Sequence, residues 1–369
     1  MEKNFLFWKN QHDSETLELF NNDSIGQLWL KIKSVVRKEL ISEFTSKYSI
    51  TLSTTALSKQ FEELFNILIR DSQKAHAMLD DYLCEKNKFL LKELDREKLV
   101  SELYKLKVFE WGGDYKNSLD KYLISQYVKA ISSYDVLMSK FEYEINRAVQ
   151  GYVMNSWYNH WSSIIIEHIF KSHNSVLPTV GQIKKVDFFI NNIPYDLKVT
   201  YFPSEYLKLK RKEKGLPVEL TYLKSNAKEL GISYNKNGST SDIYYEITEK
   251  LKDKGNKQCL DVLSELKNSN MQIIREAQDN PKMLAQWLYE NQGEMRFGSE
   301  NRLFLVLIDT DEFSSSWKLK RNLDLLTPNI NSFLNNFSKR QRSELEIKFN
   351  YPGRTQTFSS LADIIFVVK

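Results

Sequence analysis

Two carboxylates and one ammonium are concentrated in a short stretch of this chain. Lys185-Val186-Asp187-Phe188-Phe189-Ile190 is followed by Asn191-Asn192 and then by Ile193-Pro194-Tyr195-Asp196-Leu197-Lys198-Val199-Thr200. Both runs are rich in residues that favour pleated sheet, and asparagine tolerates positive φ, so the pair at 191–192 predicts a tight hairpin turn. A turn symmetric about that pair sets Ile190 against Ile193 and Asp187 against Asp196. Lys198, two residues past Asp196, then points from the same face. The opposite face carries Val186, Phe188, Ile190, Ile193, Tyr195, Leu197 and Val199, all apolar or aromatic. A one-residue slip would mix the two faces, so the pattern itself specifies the register. Pro194 lacks an N–H and is tolerated beside the turn.

Directly opposed carboxylates repel, which a fold would not select for stability. A divalent cation relieves the repulsion. Mg²⁺ takes oxygen ligands, keeps several waters and commonly uses one or two carboxylates plus substrate phosphate oxygens, with Mn²⁺ as a substitute. Such an ion polarises a phosphodiester oxygen and lowers the pKa of a coordinated water. Lys198 beside that water would stabilise developing negative charge. The chemistry these parts predict is metal-assisted phosphodiester hydrolysis. The bland alternative is a surface hairpin with a cross-strand ion pair.

Asp187 followed by Asp196-Leu197-Lys198 resembles the signature of the PD-(D/E)XK nucleases, a superfamily that includes many type II restriction endonucleases. Val186 stands where the motif name has proline. The resemblance covers residues 150–202 and extends to 303–309 if that run is a further core strand; it does not reach the N-terminal half. It implies an αβββαβ core with a mixed central sheet, in which Asp187 and Asp196 are metal ligands and Lys198 assists the attacking water. It also implies a glutamate on the preceding helix. Glu167 is the one acid in Ser156–Phe170, an otherwise apolar candidate helix. The family points to double-stranded DNA as substrate and to a homodimer, because two sites are needed to cut both strands. A defence, repair or transposon-associated nuclease of structure-directed specificity, and a catalytically silent DNA-binding module, are the alternatives. Nothing in the hairpin reads a 2′-hydroxyl, so RNA stays open as substrate.

Stepwise along the chain, residues 1–150 read as helix. Proline is absent before Pro178, and apolar residues recur at three and four, as in Phe61, Leu64, Phe65 and Leu68. Trp111-Gly112-Gly113-Asp114 is the clearest break there. The expected division is a helical N-terminal domain (1–150), for DNA recognition or dimerisation, and a catalytic domain (151–369) with a helical insertion at about 204–296. Leu303–Asp309 reads as a buried strand, and Leu345–Asn350 and Ala362–Lys369 as two more. The fold class is therefore mixed α/β or α+β.

The chain has 369 residues, 41% hydrophobic and 27% charged. It can bury a large core, and the composition excludes a collagen-like or disordered chain. Two cysteines, Cys84 and Cys259, exclude a disulfide framework and a multi-cysteine zinc site. No apolar run approaches a membrane span or a signal peptide, so a cytoplasmic protein is expected. No P-loop or GxGxxG is present, so no nucleotide cofactor is expected. The net charge of +4 is compatible with nucleic acid. The basic residues Lys208, Lys210, Arg211 and Lys212, and Lys318, Lys320 and Arg321 beside Trp317, are candidate phosphate contacts; otherwise they are solvated faces.

Overall fold

A computed structural model describes residues 3–109, 118–291, 300–337, 339–351, 353 and 355–369. It is a mixed α and β protein with one open six-stranded sheet in the order β1-β2-β3-β4-β6-β5. The strands are β1 (Val176–Ile183), β2 (Val186–Ile190), β3 (Ile193–Tyr201), β4 (Arg302–Ile308), β5 (Glu346–Asn350) and β6 (Thr357–Val368). The first three form an antiparallel meander, β3, β4 and β6 are mutually parallel, and β5 closes the far edge antiparallel to β6. All three strand expectations beyond the hairpin are met. The break expected at 111–114 lies outside the described residues.

The turn between β2 and β3 is the one the two asparagines predict. Asn191 and Asn192 have φ of 52° and 65°, as a two-residue hairpin of the right twist requires. The strands pair Ile190 with Ile193, Phe189 with Pro194 and Phe188 with Tyr195. Val186, Phe188, Ile190, Tyr195 and Leu197 are buried as expected. The other face is less open than its polar residues suggest, since Phe189 and Pro194 are buried too.

The chain forms two compact units, one of residues 1–8, 20–195 and 317–339, the other of 9–19, 196–316 and 340–369. The expected boundary at about 150 therefore does not coincide with this division. Its physical reason is packing of the N-terminal helices on the first strand. The Ser24–Val35 and Ser72–Glu93 helices both pack against β1. At Gly181 a Cβ would sit 2.2 Å from the Ser34 carbonyl oxygen, so only glycine admits this approach, and Val180 N–H donates to Ser34 Oγ at 3.1 Å. An aromatic cluster of Phe5, Trp8, Phe20, Trp29, Phe61 and Phe65 fills the centre of these helices.

In the second unit the helical stretch expected at about 204–296 is observed between Ser204 and Asn291. Part of it has its own core, with Leu223, Ile243, Ile247, Leu251, Val262 and Leu266. The rest packs on β4, β5 and β6 through Tyr206, Ile274, Leu288 and Tyr289. β4 is buried along its whole length, which explains its unbroken apolar run.

Lys31 ties the hairpin turn to the N-terminal helices. Its ammonium is buried in the Ser24–Val35 helix and donates to Asn192 Oδ1 at 2.7 Å and to Asp80 Oδ1. Burial lowers its pKa, against the opposing pull of Asp80. Removing only the counter-charge of a buried ion costs more than removing the ion itself. Asp80→Asn is therefore expected to destabilise the protein by about 3 kcal/mol, and Lys31→Met by less, because the half-exposed Asp80 regains water. Urea unfolding midpoints of the two variants check the order.

Candidate active site

Asp196 and Lys198 stand on β3 where it runs parallel to β4. Alternation places both side chains on one face of the sheet. Lys198 Nζ lies 3.2 Å from Asp196 Oδ2. The carboxylate is buried and the lysine side chain is 42% exposed. An exposed ammonium thus stands at the mouth of a buried acid.

Behind the acid lies a buried charge network that the spacing of the hairpin did not reveal. Arg302, the first residue of β4, donates from Nε to Asp196 Oδ2 at 3.2 Å and from Nη2 to Glu300. Both Arg302 and Glu300 are buried. The guanidinium lies 5.0 Å from the centre of the Tyr289 ring, and the Tyr289 hydroxyl donates to the Glu300 carbonyl at 2.7 Å. Full burial pushes that hydroxyl's pKa up. Asp196 N–H donates to the Asn301 carbonyl at 2.9 Å, fixing the backbone of the acid. A signal for this network existed in Glu300-Asn301-Arg302. Charges at the mouth of a fully apolar strand need partners, because burial without them is prohibitive.

Both cations approach Oδ2 of Asp196. A carboxylate oxygen is a hard ligand of the kind Mg²⁺ takes. Among the described residues no group of three or more His, Cys, Asp or Glu side chains is gathered that could hold a metal ion.

Asp187 and Glu167 belong to the other compact unit. Asp187 is half-buried on β2, and its carbonyl accepts a hydrogen bond from Thr179 Oγ1 at 2.7 Å. Glu167 lies in the Asn146–Lys171 helix and forms an ion pair with Lys171 at 3.1 Å, one turn on.

Three of the expected phosphate contacts are buried and held by the protein's own groups. Arg211 is buried and donates to the Pro217 carbonyl, Ser269 Oγ and Asn270 Oδ1, all within 2.8 Å. Arg321 is buried and donates to the carbonyls of Leu103 and Leu106 at 2.7 and 2.8 Å, with its guanidinium over the rings of Tyr104 and Trp317. Lys320 is buried and donates to Asn159 Oδ1 at 2.8 Å. A side chain enclosed in this way cannot reach a phosphate. Lys208 and Lys210 pair with Glu205 and Glu213, Lys212 is exposed, and Lys318 lies 5.8 Å from the centre of the Trp317 ring.

No family model, curated protein or solved structure matches the chain.

Two stability predictions follow from these buried cations. Arg302→Met leaves two buried carboxylates with less counter-charge and is expected to cost about 3–5 kcal/mol at neutral pH. Thermal unfolding at neutral pH checks the size of the loss. Burial pushes the Lys320 ammonium down to about 8 from its usual 10.5. Between those values the unfolded chain binds more protons than the folded one, so this lysine's cost is full below pH 8 and fades as pH rises to 10.5. Lys320→Met is expected to stabilise the protein by about 1–3 kcal/mol at pH 7. The gap to wild type should close between pH 8 and 10.5 in denaturant titrations.

Proposed function

We propose that the protein is a Mg²⁺-dependent endonuclease that hydrolyses DNA phosphodiesters, in the manner of a type II restriction endonuclease. One observation carries the reading. The Lys198 ammonium stands 3.2 Å from a buried Asp196 carboxylate that the Arg302 guanidinium also holds. The order of elements supports it, with a long helix, a three-strand meander, further helices and then a parallel strand, as a PD-(D/E)XK core requires.

In this reading Asp196 would be a metal ligand. When bound, Mg²⁺ lowers the pKa of water and polarises the scissile phosphate. Lys198 orients the attacking water and stabilises the extra charge on the phosphorus oxygens as the P–O bond to the leaving oxygen breaks. Arg302 holds Asp196 through Oδ2, so it acts as a positioning residue. The remaining basic residues, Lys208, Lys210, Lys212 and Lys318, are candidates for phosphate contact.

Purified protein is incubated with plasmid and phage DNA in Mg²⁺, in Mn²⁺ and in EDTA. Cleavage is expected with either metal and not in EDTA. Lys198→Ala and Asp196→Asn should each lower the rate by at least about 100-fold while leaving the fold intact by circular dichroism. Discrete bands mark a site-specific enzyme, and a smear a structure-directed or non-specific one. Intact DNA with folded wild-type protein in both metals overturns the reading in favour of a binding module.

A further inference from the structure

A cleft in the first compact unit is lined by hydrogen-bond donors that the fold leaves uncommitted. Its volume is about 240 Å³, room for roughly eight waters at about 30 Å³ each. It is walled by the start of the Arg96–Leu103 helix, by the end of the Asn146–Lys171 helix with the turn after it, and by the Leu323–Phe337 helix. The first and last of these both pack against the Asn146–Lys171 helix, and all of them belong to the same unit.

Thr327, Asn331 and Asn335 follow one another at spacings of four, so they form one polar stripe along their helix. All three line the cleft, and Arg96 joins them from the neighbouring helix. Among the described residues no acid lines it. Arg96, Thr327 and Asn331 are half-buried, yet among the described residues their side chains have no hydrogen-bond or ion-pair partner. Polar groups drawn partly out of water without partners carry a cost that a ligand can remove. One amide is already oriented. The Ser175 N–H donates to His173 Nδ1 at 3.2 Å, so the ring proton sits on Nε2. His173 Nε2 then donates to Asn335 Oδ1 at 3.1 Å. This contact uses the oxygen of the Asn335 amide and leaves its NH₂ group to donate elsewhere.

Charge decides what such a cleft takes. The pKa of His168, at the same helix end, is lowered by burial and then by Lys171 and Arg96, so the local field is positive. An adjoining cleft shares Arg96 and Thr327 but carries Asp95, Glu97 and Asp324. Those acids repel a polyanion such as a nucleic-acid backbone, and a dianion such as a phosphate monoester. A single guanidinium backed by neutral amides matches one negative charge shared by two oxygens, which its fork of N–H groups takes in parallel. Ile169 adds an apolar surface beside the donors.

We propose that this cleft binds a small carboxylic acid as its monoanion, with the carboxylate on Arg96 and the amides of Asn331 and Asn335, and a short apolar tail toward Ile169. The proposal does not rest on the nuclease reading, because its readout is binding and not cleavage.

Ligand-observed NMR titrations of the full chain with butyrate, butyramide and methyl phosphate test it. Butyrate is expected to bind saturably, with a Kd of about 10 mM or tighter. Butyramide has the same shape without the charge and is expected to bind more weakly, as is methyl phosphate, a dianion above about pH 7. Arg96→Met is expected to weaken butyrate by at least about tenfold with an unchanged circular dichroism spectrum, and Arg96→Lys, which keeps the charge and loses the fork, by less. Wild type with no saturable butyrate binding in that range overturns the proposal. So does butyramide or methyl phosphate binding as tightly as butyrate, or a folded Arg96→Met variant whose loss is smaller than that.

Discussion

The register of β3 depends on a two-residue turn. Asn191 and Asn192 both take positive φ, and a slip of one residue on either side would exchange the two faces of the strand. Asp196 and Lys198 would then turn into the layer that Tyr195 and Leu197 occupy. The same strand goes on to pair with β4 from Asp196 to Tyr201. The turn therefore also fixes which face of β3 meets Arg302. Lys31 holds that turn from the helical side through Asn192. A contact far from Asp196 in sequence thus helps to set the register on which Asp196 depends.

Buried cations recur through the molecule: Lys31, Arg211, Arg302, Lys320 and Arg321. They divide into two kinds. Lys31 and Arg302 meet carboxylates, and the Coulomb attraction offsets part of their desolvation. Arg211 and Arg321 are held by neutral oxygens, several to each guanidinium. The planar fork of arginine suits this use, since its donors are fixed in direction and its charge is weakly hydrated. Lys320 is a compact ammonium that donates to a neutral amide oxygen, and its burial lowers its pKa.

The hairpin was legible in the sequence because its signals are local. Alternation from Val186 to Val199 and the adjacent asparagines state faces, turn and register within a few residues. The strand at Leu303–Asp309 was legible for the same reason, as a continuous apolar run. The partners of Asp196 were not, because Arg302 lies 106 residues further on. The basic residues near 211 and 320 misled for a related reason. A cation in a charge run looks the same in sequence whether its head meets water or a carbonyl, and only the tertiary fold supplies Leu103, Leu106 or Asn270. The division into two compact units follows packing that the sequence does not mark. Nothing local marks Gly181 and Ser34 as a close approach between a helix and a strand, yet that approach joins the N-terminal helices to β1.

The charge balance around Asp196 limits what the candidate site can accept. Asp196 and Glu300 are matched there by Arg302 and Lys198, so this network on its own is close to neutral. A dication added to a neutral, buried group is not held by net charge. It needs further anionic oxygen, which a phosphodiester provides and additional carboxylates provide. In the proposed reading that demand falls on the DNA backbone itself. Metal affinity would then rise when nucleic acid is present, because the substrate brings part of the coordination. Arg302 and Lys198 both reach Oδ2 of Asp196, so the network itself holds the acid's orientation.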